Sequence, residues 1–197
     1  MTNVPAPSHS SLSAIIPPPL QVSQWLNTPT PITLQSLRGR VAVMHTFQML
    51  CPGCVSHGLP QAARIHRLFP ANQVTVFGLH TVFEHHDVMG PRALRVLLDE
   101  HRIALPVGVD QAAAGSRVPL TMQAYGLRGT PSVVVLDAQG HLRLSHFGQI
   151  DDLALGAAIG QLLAETPPHA TQDAAAAAAN RHRAPMCDDH ACAAPRP

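Results

Sequence analysis

Lysine is absent from this 197-residue chain, and arginine supplies all 13 of its cationic side chains. The chain therefore has no catalytic lysine. Charged residues make up only 13% of the sequence, aromatic residues 4%, and the formal net charge is +1. Nucleic acids and anionic membranes attract concentrated positive charge. Because no run of like charges occurs, we expect neither of them as a partner.

Long hydrophobic runs are also missing. No stretch approaches the roughly 18 apolar residues of a membrane span. The N-terminal residues carry no basic side chain, and their short apolar stretch at 14–16 is followed by three prolines. A secretory signal requires a basic start and roughly 7–15 apolar residues. We therefore expect a cytoplasmic location, where closely spaced cysteines usually indicate redox or metal chemistry.

What the chain does contain is enough apolar material for one globular domain. Hydrophobic residues make up 46% of the sequence, which is typical of a folded domain rather than a disordered chain. Composition changes at both ends. We predict a flexible Pro/Ser-rich arm at 1–19, a domain at 20–166, and a low-complexity Ala/Pro tail with a Cys/His cluster at 167–197.

Strand and helix patterns alternate within the predicted domain. Strands are predicted at 40–47, 74–80, 132–137 and 141–147, with a short extended piece at 107–110. Helices are predicted at 51–68, with a kink at Pro60 and with Leu59, Ile65 and Leu68 on its apolar face, and at 91–101 and 151–165. This order predicts an α/β fold with a central mixed sheet that is covered by helices on both faces.

Two of the four cysteines lie in Cys-Pro-Gly-Cys at 51–54, between the first predicted strand and helix. Unpaired N–H groups and the positive end of the helix dipole stabilise a thiolate there, and the thiolate is the nucleophile in disulfide exchange. Cys54 lies one turn further on, near enough to form a disulfide and too buried to attack first. Such a cysteine pair beside a βαβ pattern indicates a redox dithiol.

A second signal comes about 77 residues later, in Gly-Thr-Pro-Ser at 129–132. A cis peptide bond at Thr130–Pro131 would bring a backbone edge beside the dithiol, and cis prolines are typical of tight local geometry. The two motifs together make a much stronger redox signal than either alone.

These motifs resemble the thioredoxin-fold redoxins, in particular the TlpA-like and alkyl-hydroperoxide-reductase/thiol-specific-antioxidant group. Matching segments run in family order over residues 20–165. The resemblance implies a thioredoxin fold with a strand-helix insertion. It also implies thiol-disulfide exchange with Cys51 as nucleophile, Cys54 as the resolving cysteine, and Pro131, after Thr130, at the substrate edge.

The same resemblance implies no cofactor other than a redox-active Cys51–Cys54 disulfide. The expected partners are protein or low-molecular-weight thiol and disulfide substrates and an upstream reductant, with the chain acting as a monomer or weak dimer. Leu50 stands where thioredoxins usually carry tryptophan, and the inner Pro-Gly order leaves the redox direction open. Peroxide scavenging is a weaker alternative, because Met44 and Gln48 occupy the places of the peroxiredoxin proline and threonine.

Two residues are candidate bases. His45 lies six residues before Cys51, where thioredoxins place a buried acid, and an imidazole could accept the Cys54 proton. It could equally be a structural core histidine. Glu84, in the predicted insertion, is the second candidate, since TlpA relatives often carry a functional glutamate there. The alternative for Glu84 is a solvated loop carboxylate.

Metal binding is the remaining alternative. His80, Glu84 and the adjacent His85 and His86 have suitable ligand atoms but no clean metal-site spacing. The tail supplies two imidazoles and two thiols that suit zinc or copper(I), at His182, Cys187, His190 and Cys192. The tail could therefore be a disordered segment with exposed thiols, the site of a metal carrier or sensor, or a second redox pair.

Overall fold

A computed structural model of the chain describes residues 15–166. The predicted arm up to residue 14 and the predicted tail from residue 167 lie outside this range, as do the tail's candidate ligands His182, Cys187, His190 and Cys192. The last residues of the predicted arm lie along the sheet. The Ile15 carbonyl accepts a hydrogen bond of 2.8 Å from the Leu142 N–H, and Pro17 is buried.

A six-stranded mixed sheet forms the centre of the described domain. Its strands are β1 (Val22–Leu26), β2 (Val41–Phe47), β3 (Val74–His80), β4 (Val107–Asp110), β5 (Ser132–Leu136) and β6 (Leu142–Phe147). Their spatial order is β1-β4-β3-β2-β5-β6. The pairs β2/β3 and β3/β4 are parallel, and the others are antiparallel. The α/β class and the mixed sheet predicted from the sequence are confirmed.

Four α-helices accompany the sheet. They are α1 (Leu59–Leu68), α2 (Pro91–Glu100), α3 (Leu120–Ala124) and α4 (Asp152–Glu165). A π-helical turn, Cys54–Gly58, precedes α1, and its last bond runs from the Leu59 N–H to the Cys54 carbonyl. The next residue, Pro60, has no N–H to continue the ladder, and such π turns are a known cause of helix irregularity. The distortion predicted at Pro60 therefore extends over the preceding turn.

Three features differ from the sequence prediction. Strand β1 was not predicted, because its apolar residues do not alternate cleanly and it forms only by pairing with β4. Helix α3 was also missed, since five residues are too few to show helical periodicity. Leu68 was expected on the apolar face of its helix but is 74% exposed, because it is the last residue of α1.

Alternation along β2 divides the core between the two faces of the sheet. Val41, Val43 and Phe47 belong to one apolar cluster, which also includes residues of α1, α2 and α4. Ala42 and Met44 belong to the other cluster, against the chain before β2 and the residues that follow α3. All seven residues of β2 are consequently buried.

No helix within residues 15–166 has the length and apolar character needed to cross a membrane.

Candidate active site

The two cysteines of the Cys-Pro-Gly-Cys motif form a disulfide, with their Cα atoms 5.2 Å apart. Cys51 follows β2 and is half-buried, whereas Cys54 is completely buried. The Cys54 N–H points at Cys51 Sγ at 3.2 Å. This backbone group belongs to the start of the helical segment, where N–H groups favour a negatively charged partner. The geometry therefore exposes one sulfur to a substrate and shields the other.

The loop before β5 lies directly against this disulfide. The Thr130–Pro131 peptide bond is cis, and the Thr130 carbonyl oxygen lies 3.5 Å from Cys51 Sγ. A Cβ atom on Gly53 would lie 3.5 Å from Pro131 Cδ, and one on Gly58 would lie 3.4 Å from Pro131 Cβ. Both glycines thus lie in the contact range of the proline, and Thr130, Pro131 and Cys51 form one surface.

His45 is buried in β2, with 1% of its surface exposed. It lies on the same face of the sheet as Val43 and Phe47, which share an apolar cluster with Cys54. Neither ring nitrogen has a hydrogen-bond partner among the described residues. Burial, with a smaller contribution from the charge of His57, lowers the pKa of His45 to about 4. Its imidazole is therefore neutral at pH 7.

His80 is a second buried histidine, at the last position of β3. Its ring lies 5.2 Å from the Phe47 ring, and both of its nitrogens also lack a partner within residues 15–166. Burial lowers the pKa of His80 to about 4. Sequence reasoning considered this residue only as a metal ligand, since nothing in the local pattern shows how deeply it is buried.

Glu84 lies in the exposed loop after β3. One of its carboxylate oxygens accepts a hydrogen bond of 3.3 Å from Gln48 Nε2. Gln48 is itself buried, and its Oε1 accepts a 3.1 Å bond from the Phe83 N–H. Gln48 thus ties the loop that carries Glu84 to the segment that leads into Cys51. This link was not predicted from the sequence, although a glutamine that directly follows a predicted buried strand could have indicated a buried polar contact.

The histidines near Glu84 in the sequence do not form a metal-binding cluster. His80 is buried at the end of β3, whereas His85 and His86 are exposed in the following loop. No group of three or more His, Cys, Asp or Glu side chains suited to a metal ion occurs in the part of the chain that the structure describes. The candidate ligands of the tail lie outside that part.

Two exposed apolar side chains lie on segments next to the dithiol and next to the Thr130 loop. Leu50, directly before Cys51, is 59% exposed, and Phe147, at the end of β6, is 48% exposed. The Arg128 guanidinium lies 5.1 Å from the centre of the Phe147 ring. A Cβ atom on Gly129 would lie 2.8 Å from that ring, so glycine lets the Thr130 loop pass beside Phe147. The sequence does not indicate that Phe147 lies beside this loop, because the two segments are far apart along the chain.

The fold and the site together define the class of thioredoxin-fold proteins with a redox dithiol. Solved structures support this classification. The chain is 52% identical to the thioredoxin-like superfamily protein SPOA0173, covering 79% of this chain and 100% of that one, with a TM-score of 0.76. A thiol-disulfide isomerase from Corynebacterium glutamicum is 51% identical over 78% of this chain and 99% of its own, with a TM-score of 0.75. The chain belongs to the thioredoxin-like superfamily.

Other comparisons are less specific. No protein-family model matches the chain. Protein DipZ of Mycobacterium tuberculosis (strain CDC 1551 / Oshkosh) is 28% identical over 149 residues, which is 75% of this chain and 20% of DipZ. The chain therefore spans about a fifth of the length of this curated relative. The narrower TlpA-like subgroup stays a prediction from the sequence.

Proposed function

We propose that this protein is a thiol-disulfide oxidoreductase that reduces disulfides of proteins or of low-molecular-weight thiols. The observation that carries the proposal is the asymmetry of the dithiol. Cys51 is half-buried beside the Thr130 carbonyl, whereas Cys54 is completely buried behind it. The relatives with about half of their residues identical include one described as a thiol-disulfide isomerase.

The proposed reaction starts from the reduced dithiol. The Cys51 thiolate attacks one sulfur of the substrate disulfide, and the other sulfur leaves as a thiolate that takes up a proton. The Cys54 sulfur then attacks Cys51 Sγ, which releases the second substrate thiol and forms the Cys51–Cys54 disulfide. Two electrons and two protons thus pass to the substrate. An external dithiol reductant restores the starting state by the reverse exchange.

His45 is our proposed acceptor of the Cys54 proton. A base must be neutral to accept a proton, and burial keeps His45 neutral at pH 7. Because the same burial makes it a weak acceptor, the transfer requires the charge that develops on the Cys54 sulfur to raise the pKa of His45. Its unpartnered nitrogens leave a lone pair free for this purpose. The developing negative charge on sulfur would stabilise the imidazolium that forms. Glu84 is proposed only as a support of the loop, through its bond to Gln48.

The test is reduction of insulin disulfides with dithiothreitol as the external reductant. We expect Cys51→Ser to lose the catalysed rate completely, because the attacking sulfur is removed. Cys54→Ser should retain the first attack and accumulate a mixed disulfide with the substrate, detectable by mass spectrometry under non-reducing conditions. Equal turnover by the wild-type protein and both variants would refute the proposed function.

A further inference from the structure

A groove between α1 and the chain after α2 is lined by three arginines and a histidine. Arg64 and Arg67 belong to α1, and His101 and Arg102 lie directly after α2. No carboxylate is among the residues that line it. Arg64 is paired with Asp152 at 2.9 Å. Within residues 15–166, the side chains of Arg67 and Arg102 have no hydrogen-bond or ion-pair acceptor. We call this feature the arginine groove.

The floor of the arginine groove is apolar. Leu59 and Ile103 are buried, and Ala63 and Val55 are half-buried. The cavity has a volume of about 350 Å³, at the lower end of the range for ligand sites. A cationic rim over an apolar floor suits a short peptide segment whose carboxylates meet the guanidinium groups. Guanidinium groups bind carboxylates through paired hydrogen bonds.

The groove starts next to the dithiol. Val55 directly follows Cys54, and its N–H donates a 3.1 Å hydrogen bond to the Cys51 carbonyl. A helix rises about 1.5 Å per residue, so Arg64 lies roughly 20 Å along the helical axis from Cys51. An extended peptide covers this distance with about six residues. A substrate chain that leaves the exchanging disulfide along α1 would therefore reach the cationic rim after about six residues.

We propose that the arginine groove binds an acidic segment of the protein substrate, about six residues from the disulfide that Cys51 attacks. This inference rests on the proposed function and narrows its substrate class to proteins with Asp or Glu at that spacing. Charge complementarity is the reason for this occupant, since the whole chain has a formal net charge of only +1 and the groove holds two arginines, Arg67 and Arg102, whose side chains have no acidic partner within residues 15–166.

The test uses two fluorogenic peptide disulfides that differ only in the arm six residues from the cysteine. One arm carries Glu-Asp-Glu and the other Gln-Asn-Gln. With dithiothreitol as reductant, we expect the acidic peptide to have a kcat/KM about fivefold higher, because exposed ion pairs are individually weak. The preference should fall when the salt concentration is raised.

The variant Arg67→Gln/Arg102→Gln should abolish this preference and leave the reduction of the neutral peptide unchanged. The matched control is Arg92→Gln/Arg117→Gln, which removes the same charge at exposed positions outside the groove, and it should keep the preference. Equal kcat/KM values for the two peptides in the wild-type protein would overturn the inference. So would an equal loss in the control, because the effect would then be general electrostatics.

A binding measurement separates this inference from the proposed function. A fluorescein-labelled Glu-Asp-Glu peptide without cysteine is titrated with the oxidised wild-type protein, and anisotropy is followed. Binding tighter than that of the Gln-Asn-Gln peptide, and weakened by Arg67→Gln/Arg102→Gln, supports the groove even if neither disulfide peptide is reduced. Equal binding of both peptides contradicts the groove even if both disulfides are reduced.

Discussion

His45 has two buried ring nitrogens without a partner among the described residues. An unpaired buried polar group costs about 1–3 kcal/mol, a cost that His45 shares with His80. Leucine would fill a similar volume without that cost. The position six residues before Cys51 is what distinguishes His45 from His80, which is equally buried and also lacks a partner among the described residues.

Replacing His45 by Leu tests its role. If His45 accepts the Cys54 proton, the variant should reduce the disulfide peptides at least tenfold more slowly at pH 7, because a positioned base typically contributes more than that. At pH 9 the variant rate should recover towards the wild-type rate, since hydroxide then removes the proton. The measurement is kcat across pH 6–9 for both proteins.

A structural role gives a different profile. If His45→Leu lowers the rate by the same factor at every pH, His45 only shapes the site and the proposed proton transfer is wrong. The control is His66→Leu, on α1 and only partly buried, which should keep the wild-type profile.

At the scale of single elements, α4 begins after an N-cap residue, Asp151, that can be recognised from the sequence. The Asp151 side chain accepts hydrogen bonds from the N–H groups of Leu153, at 2.9 Å, and Ala154, at 3.2 Å. Aspartate is among the preferred residues at this position because it satisfies otherwise unpaired donors. The helix in turn places Leu155 and Ile159 in the core beneath α1 and β2.

We expect Asp151→Ala to lower the free energy of unfolding by about 1 kcal/mol. Chemical denaturation with urea, followed by circular dichroism, measures this difference. Asp151→Asn is the matched control, because the amide oxygen can still accept both bonds, and it should stay within about 0.5 kcal/mol of the wild type. Equal losses in the two variants would mean that the charge of Asp151, rather than its cap, stabilises the domain.

For the whole molecule, the two buried histidines predict how stability changes with pH. The pKa values of His45 and His80 are lowered from 6.5 to about 4 in the folded protein. Between these values the unfolded chain binds protons that the folded protein does not. The two histidines therefore contribute fully to the free energy of unfolding above pH 6.5, and this contribution is lost as the pH falls to about 4. Each histidine accounts for about 3 kcal/mol of this loss.

The variant His80→Leu should remove about half of the pH-dependent contribution that the two histidines make to the free energy of unfolding. We expect its free energy of unfolding to fall less between pH 7 and pH 4 than that of the wild type, by about 3 kcal/mol. Urea unfolding at both pH values gives the comparison. His86→Gln, at an exposed position, is the control and should follow the wild type. An unchanged pH dependence in His80→Leu contradicts the lowered pKa.

Much of this protein could be predicted from local sequence. The buried run of β2, the cysteine pair and the Thr130–Pro131 motif stand out because strand burial, helix starts and cis prolines depend on neighbouring residues. These signals sufficed for the α/β class, the mixed sheet and the residues of the dithiol. Strand β1 and helix α3 were missed, because the first is stabilised by pairing with β4 and the second is too short to show a period.

Contacts between distant segments were decided only by the tertiary structure. Gln48 donates a hydrogen bond to Glu84, which lies 36 positions later in the sequence. Phe147 packs against Gly129, and the arginine groove is formed by α1 and the chain after α2. Such contacts leave no periodic pattern in the sequence, because they depend on which strands are neighbours in the sheet and on how the helices pack across it. The sequence by itself determined the chemistry of Cys51 and Cys54, through residues that are adjacent in the chain. The folded chain decided what surrounds that chemistry, because burial, charge and surface shape depend on all segments packing together.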